Sequence, residues 1–395
     1  MQAIRKGLDA GVPALEPTVL PEMAVPIEEP KAESTTASPA QAKQAPYPWI
    51  LHPVIDSLFC CGGILWLLLF AVLAGFHAGL DCGPAGVTLL LLNGLGQVFF
   101  ADAHQPATLW RVYLSPRTRQ SVGAFVTICG ITTLALGAFG LYNASFTAGL
   151  VVVTLAWSIQ HLLAQAYGVS LIYCYKRGYM MSNNERQIFY YLFQTGLAFC
   201  VIRMFTYSSF LSKDLYGLKI PFWGPLPEWI CYLSLAAFQI NVLLFVGMVA
   251  RKWMREKRHF PLPALAATLT ALMLPLLNHW EPIAFVIFVQ TFYHASQYIV
   301  VTTAYYLKEQ GMPEGVPLSR ISSLLLKPVT LKYIGVITIL GLLMFVALPL
   351  SLAAVGFDRS VAYCVVYCIF NIHHYITDSA IWRMKDPEVR KLLVS

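Results

Sequence analysis

Apolar residues in this chain run in long stretches separated by short polar loops. Stretches of that length suit a bilayer core, which takes roughly 20 apolar residues per helix. The pattern predicts about ten spanning helices: Leu58–Phe76, Gly86–Ala101, Gly123–Leu141, Ala148–Tyr175, Ile188–Tyr207, Glu228–Val249, Pro263–Leu277, Pro282–Leu307, Tyr333–Leu350 and Ser360–Trp382. The second and seventh are the shortest. Before them lies a segment rich in Pro, Ala, Glu, Ser and Thr, from Met1 to about Gln44. It has too little apolar content to offset the entropy of ordering, so a disordered tail (1–44) is expected ahead of a transmembrane domain (45–395). It lacks the apolar stretch of a signal peptide.

Loop charge supports this reading. Arg111, Arg117 and Arg119 follow the second helix, and Lys176, Arg177 and Arg186 the fourth. The run Arg251–Phe260 follows the sixth, Lys308, Arg320, Lys327 and Lys332 the eighth, and Arg383, Lys385, Arg390 and Lys391 the tenth. Loops after odd helices hold only Lys213, Lys219 and Arg359. Basic loops on every second turn mark one cytoplasmic face and put both termini there. An all-α integral membrane bundle, multi-pass in a cell membrane (a bacterial inner membrane), follows as the expected fold and location.

Composition narrows the function. Hydrophobic residues make up 57% and charged residues 12%, about half the charge of an ordinary soluble domain, which excludes one here. The formal charge of +7 sits in the short loops and reports orientation, so no nucleic-acid partner is expected. Nine scattered cysteines form no CxxC pair and read as small buried hydrophobes. There is no P-loop, no GxGxxG and no HExxH.

The informative residues are polar ones inside apolar runs, where ionisable groups are costly and need partners. The second helix ends in ADAHQPATLW, with Asp102, His104 and a helix-terminating Pro106. The fourth carries His161 and Gln165, the eighth Gln290, His294, Gln297 and Tyr298, and the tenth His373, His374 and Asp378. Counted back from the basic loops, these histidines lie roughly 10–22 Å above the cytoplasmic anchors, one overlapping band on four helices. His161–Gln165, Gln290–His294 and His374–Asp378 are i,i+4 pairs, each on one helix face. His373 and His374 point ~100° apart and rarely serve one metal together.

Neutral imidazole suits Fe, Cu and Zn, so His104, His161, His294, His373 and His374 are expected to hold a metal. Asp102 and Asp378 would be further ligands or catalytic carboxylates. Gln165, Gln290, Gln297 and Tyr298 would orient the ligands or touch substrate. Haem between two histidines and a His/Asp proton relay in a transporter are the alternatives. His52 is expected to cap a helix, Asp56 could face the site from below, and Arg111 is expected to anchor the loop at the membrane.

The strings HHYITDSAIWRMKDPEVRKLL, QHLLAQAYG and FYHASQYIV resemble a group of polytopic bacterial membrane proteins. Histidines spread over several spanning helices are similar to the Brp/Blh family of membrane carotene dioxygenases and to the fatty-acid desaturase/hydroxylase families. That resemblance implies non-haem iron, molecular oxygen and an apolar substrate. It transfers no site residue, because the HxxxH and HxxHH boxes of the desaturases are absent and only His373-His374 is like them. The expectation is an iron oxidoreductase acting on a lipid or isoprenoid, with a possible redox partner protein. The alternatives are a proton-coupled transporter and a haem-binding electron carrier.

Overall fold

The computed structural model describes residues 48–77, 91–207, 214–221, 224–277, 285–311, 325–383 and 386–394. The expected tail lies outside the described residues. The fold is all-α; among the described residues the only strands are a two-residue pair, Asp214–Leu215 against Leu218–Lys219.

In chain order the helices are α1 (Pro53–Cys60), α2 (Gly63–His77), α3 (91–101), α4 (His104–Leu114), α5 (Pro116–Tyr142), α6 (Ala144–Lys176) and α7 (Asn183–Met204). Then follow α8 (Glu228–Glu256), α9 (Leu262–Leu277), α10 (285–309), α11 (Pro328–Ala354), α12 (Arg359–Ile381) and α13 (Pro387–Val394). By length and composition α5, α6, α8 and α11 can each cross a membrane, and the bent pair α1–α2 can count as a fifth span. Their outer faces are apolar: Ile128, Ile131 and Leu134 of α5 and Leu243 of α8 are all at least 58% exposed. A soluble protein would bury such a stripe; a bilayer solvates it.

The first predicted helix is broken. α1 starts with Pro53 in its first turn, where a missing N–H is harmless, and His52 caps it by accepting from the Val54 N–H (3.3 Å). The chain then bends by 54° into α2 at Gly62. That glycine has φ +84°, and a Cβ there would sit 2.6 Å from Thr270 of α9. Asp56 does not reach the histidines. Its carboxylate accepts the N–H groups of Ile50 (2.6 Å), Leu51 (3.1 Å) and His52 (3.1 Å) and the Tyr173 hydroxyl (2.8 Å), tying α1 to α6.

The second predicted helix ends at Ala101 as expected, but Pro106 does not terminate it. The break falls earlier, at Asp102–Ala103, and Pro106 occupies the first turn of α4, where its missing donor has no partner to lose. Arg111 is consequently no loop anchor. It lies buried on α4, its guanidinium 4.0 Å from the Tyr305 ring and 3.6 Å from the Trp382 ring, with Nη2 donating to the Ile381 carbonyl (2.8 Å). The basic stretch after the tenth segment also folds, into α13, whose Val389 and Leu393 are buried.

Wide, i→i+5 bonded turns interrupt α1 (Asp56–Cys60), α3 (Gln97–Ala101), α10 (Phe285–Ala295) and α11 (Leu343–Ala347). Such turns recur at functional sites. α12 packs against α4, α5, α6 and α11, and α10 against α4, α2 and α13, so His-bearing helices are neighbours.

The α3–α4 break is pressed against α11: a Cβ on Gly341 would lie 2.5 Å from the Asp102 carbonyl oxygen. Backbone cannot yield there as a side chain can. Gly341→Ala should lower the thermal midpoint of the detergent-solubilised protein, with a cost of about 1–3 kcal/mol. Gly335→Ala on the same helix meets nothing within 4 Å and should leave it unchanged or raise it. Equal midpoints for the two variants would contradict the close approach.

Candidate metal centre

Four helices bring four imidazoles together. His104 opens α4, His161 lies mid-way along α6, His294 is near the end of the wide-turn stretch of α10, and His374 is on α12. Their rings form a closed square of near-perpendicular contacts. Centroid separations are 4.7 Å (His104–His374), 5.5 Å (His104–His294), 5.0 Å (His161–His294) and 4.7 Å (His161–His374). All four are buried. Tyr375 stacks on His161 at 4.5 Å and closes one side.

Asp378 completes the group. His161 Nε2 and His374 Nε2 are 3.0 Å apart, and Asp378 Oδ2 lies 3.7 and 3.6 Å from them. The point equidistant from these three atoms is about 2.0 Å from each, the ordinary length of a transition-metal bond to imidazole or carboxylate. The second triplet, His104, His294 and His374, also brings one donor atom from each residue within 4.8 Å of the others. His374 belongs to both.

The surrounding hydrogen bonds prepare lone pairs for this point. His104 Nδ1–H donates to the Ala101 carbonyl, so its Nε2 carries the lone pair and has no protein partner. His294 Nδ1 is likewise buried without a partner. One arrangement of protons satisfies the Asp378 side. Tyr298 O–H donates to Asp378 Oδ1 (2.8 Å), the Thr108 hydroxyl lies 2.5 Å from the Tyr298 oxygen and 3.2 Å from Asp378 Oδ1, His374 Nδ1–H donates to Thr108 (2.8 Å), and Trp382 Nε1–H donates to Tyr298 (3.2 Å). His374 Nε2 is then an acceptor within hydrogen-bond distance of His161 Nε2, and Asp378 Oδ2 is turned toward both rings. Outer partners that fix tautomer and orientation in this way accompany metal ligands. Buried acceptors with nothing to accept from are otherwise costly, at about 1–3 kcal/mol each.

Two expected ligands lie elsewhere. His373 points away on the neighbouring face of α12, half-buried, and its Nε2–H donates to the Val126 carbonyl of α5 (3.1 Å). Asp102 is held by the Gln97 side chain (2.7 Å) and belongs to neither triplet. Among the glutamines, Gln165 donates to the His294 carbonyl and to Gln297 Oε1 (both 2.9 Å), and Gln297 donates to the Cys60 carbonyl (2.8 Å). Together they pin the α10 backbone at His294. Gln290 is half-buried on the wide-turn stretch, one turn before His294. Tyr298 takes the orienting role expected of it.

Thr108, Tyr375 and Trp382 escaped the sequence reading. Thr108 is one turn after His104 and Trp382 one turn after Asp378, so helical spacing carried the signal. Ending the helix at Pro106 hid the first. Gln105 donates to Asn371 (3.1 Å) and locks α4 to α12 one step from the site.

Thr108 is the hub of this network, so Thr108→Val should destabilise the protein by about 1–3 kcal/mol in spite of its matched shape. Combined with Tyr298→Phe, the two losses should be non-additive by about 0.5–3 kcal/mol in a denaturation cycle. Strict additivity would show that the hydroxyls act independently.

Comparison with known proteins finds no family model, no curated protein and no solved structure that matches this chain.

Proposed function

We propose that this chain is a multi-pass membrane metalloprotein with about ten spanning helices, that it uses a non-haem iron centre, and that it carries out oxidative chemistry on an apolar lipid or isoprenoid. The observation that carries the reading is the convergence of His161, His374 and Asp378 on one point, with the free nitrogens of His104 and His294 beside it. Two histidines and one carboxylate with further positions open are the donor set of non-haem iron oxygenases. The imidazoles touch edge to face, which favours a bare ion over a macrocycle between them.

Bound there, iron would supply activation of molecular oxygen. The protein's part is legible in its side chains. Asp378 keeps Oδ2 turned to the histidines because Oδ1 is occupied by Tyr298 and Thr108. Tyr375, Trp382 and the buried face of α10 exclude water, which would otherwise quench reactive species. An adjoining cavity of about 230 Å³ touches His161, Tyr298 and Asp378 and gives substrate a place beside the centre. A His/Asp proton relay in a transporter is the second reading, favoured by the continuous hydrogen-bonded string from Trp382 through Tyr298 and Asp378.

The tenth predicted span carries Asn371, His373 and His374 within one turn. Inward-facing polar residues are what a membrane bundle with a buried site carries. The alternation of basic loops in the sequence supports a cytoplasmic side for both termini.

Elemental analysis and absorption spectra of the purified protein test the site. Stoichiometric iron without a Soret band is expected. His161→Gln and His374→Gln should each lose most of it, Asp378→Asn should weaken affinity about 10–100-fold or more, and His373→Gln should keep it. Iron that survives His374→Gln would overturn the centre, and proton-coupled uptake by metal-free vesicles would select the transporter. For topology, reporter fusions after Tyr142 and Asp358 should read external and those after Arg119 and Arg255 cytoplasmic. A cytoplasmic signal at Asp358 would refute the ten-span arrangement.

A further inference from the structure

The cavity beside the histidines is a slot with a direction. Its α6 wall is two adjacent i, i+4 rows, Gln160, Ala164, Gly168 and Ile172 beside His161, Gln165 and Val169. Three turns make it ~18 Å long at 1.5 Å rise per residue. Its volume of about 230 Å³ lies below the roughly 300–1,000 Å³ of pockets for compact ligands, so an elongated shape suits a slender ligand. The opposite wall is Tyr375 and Trp382 of α12 with Val301 of α10, and Leu393 of α13, itself buried, forms the lower end. Asp378 is the one acid or base other than His161 and Tyr side chains on the lining.

The slot opens sideways. Gln160 and Ala164 on α6 and Ser379 on α12 are exposed, while His161, Tyr375 and Asp378 directly behind them are buried. The mouth thus lies between two helices, roughly half-way along α6, one of the four helices apolar and long enough to cross a membrane. Gly168 keeps the middle of the slot clear. A Cβ there would meet nothing within 4 Å, so neither packing nor backbone conformation requires glycine at this position. The unfilled volume is the consequence.

We infer that the slot binds a single unbranched hydrocarbon chain taken directly from the bilayer, passing between α6 and α12 at Ala164 and Ser379 and lying along Gly168 with its end toward α13. Gly168 leaves the middle of the slot open to that chain, and a rigid fused-ring lipid suits the elongated shape less well. His161 and Asp378 flank the upper part of the slot, so the chain presents an internal carbon to them. The identity of this site as a reaction centre rests on the proposed function; the binding of the chain does not.

The full-length protein in phosphatidylcholine vesicles, doped with a hexadecyl chain carrying a mid-chain diazirine, tests this. After illumination, peptide mass spectrometry should find adducts on the buried lining, at Tyr298, Tyr375 or Val169, as well as on the lipid-exposed face of α5 around Ile131. Gly168→Phe, which fills the slot, and Ala164→Trp, which blocks its exposed mouth without touching the core, should each cut interior adducts about tenfold or more and leave those on α5 unchanged. A sterol diazirine should label α5 and spare the interior. The His374→Gln variant should label like the unaltered protein. Labelling is read without any metal, so loss of the metal reading would leave this result standing, and the converse holds as well. Adducts confined to outward faces, or interior adducts indifferent to both Gly168→Phe and Ala164→Trp, would overturn the inference.

Discussion

A carboxylate buried among helices has to be held by donors, and Asp378 is where this structure meets that requirement. An isolated ionised group in such surroundings costs several kcal/mol, recovered only through well-made hydrogen bonds or a neighbouring positive centre. Tyr298 of α10 and Thr108 of α4 supply the donors to one oxygen. Because they come from two other helices, satisfying Asp378 fixes α4, α10 and α12 relative to one another. The second oxygen is left to His161 and His374, so the same constraint that assembles the helices leaves an acceptor-rich point at their centre.

The irregularities of the backbone serve that point. His104 sits immediately after the break at Asp102–Ala103, and His294 lies on the wide-turn stretch of α10. His104 and Thr108, one turn apart on α4, both reach His374 of α12. The close approach of Gly341 to Asp102, and the Gln97–Asp102 hydrogen bond, hold the break. Freed backbone groups at such depth are tolerated only where protein covers them, as here.

The four histidines are buried, and a cavity adjoins them. Trp382 touches everything on the lower side: it donates to Tyr298, stacks on Arg111 and lines the slot. α13 seals the far end through Leu393, close to Lys176, whose Nζ lies 3.5 Å from the Val394 carbonyl. On the side between α6 and α12, the exposed Ala164 and Ser379 line the cavity that reaches His161.

The sequence by itself determined the helical class, since apolar runs of that length have few other outcomes, and it picked out His104, His161, His294, His374 and Asp378 because polar groups stand out against such runs. It also paired His374 with Asp378, since i,i+4 spacing on a regular helix is a local property. What it could not decide depended on interactions from other helices. Which of His373 and His374 faces inward is a rotation of α12 set by its packing on α5 and α6. Whether Pro106 ends a helix or begins one turned on a break held by Gly341, over two hundred residues away. Arg111 looked like a membrane anchor by charge alone, and only the Tyr305 and Trp382 rings, brought from α10 and the end of α12, made its burial possible. The wide turns of α1, α3, α10 and α11 leave no mark in hydrophobic period, because they change bonding without changing composition.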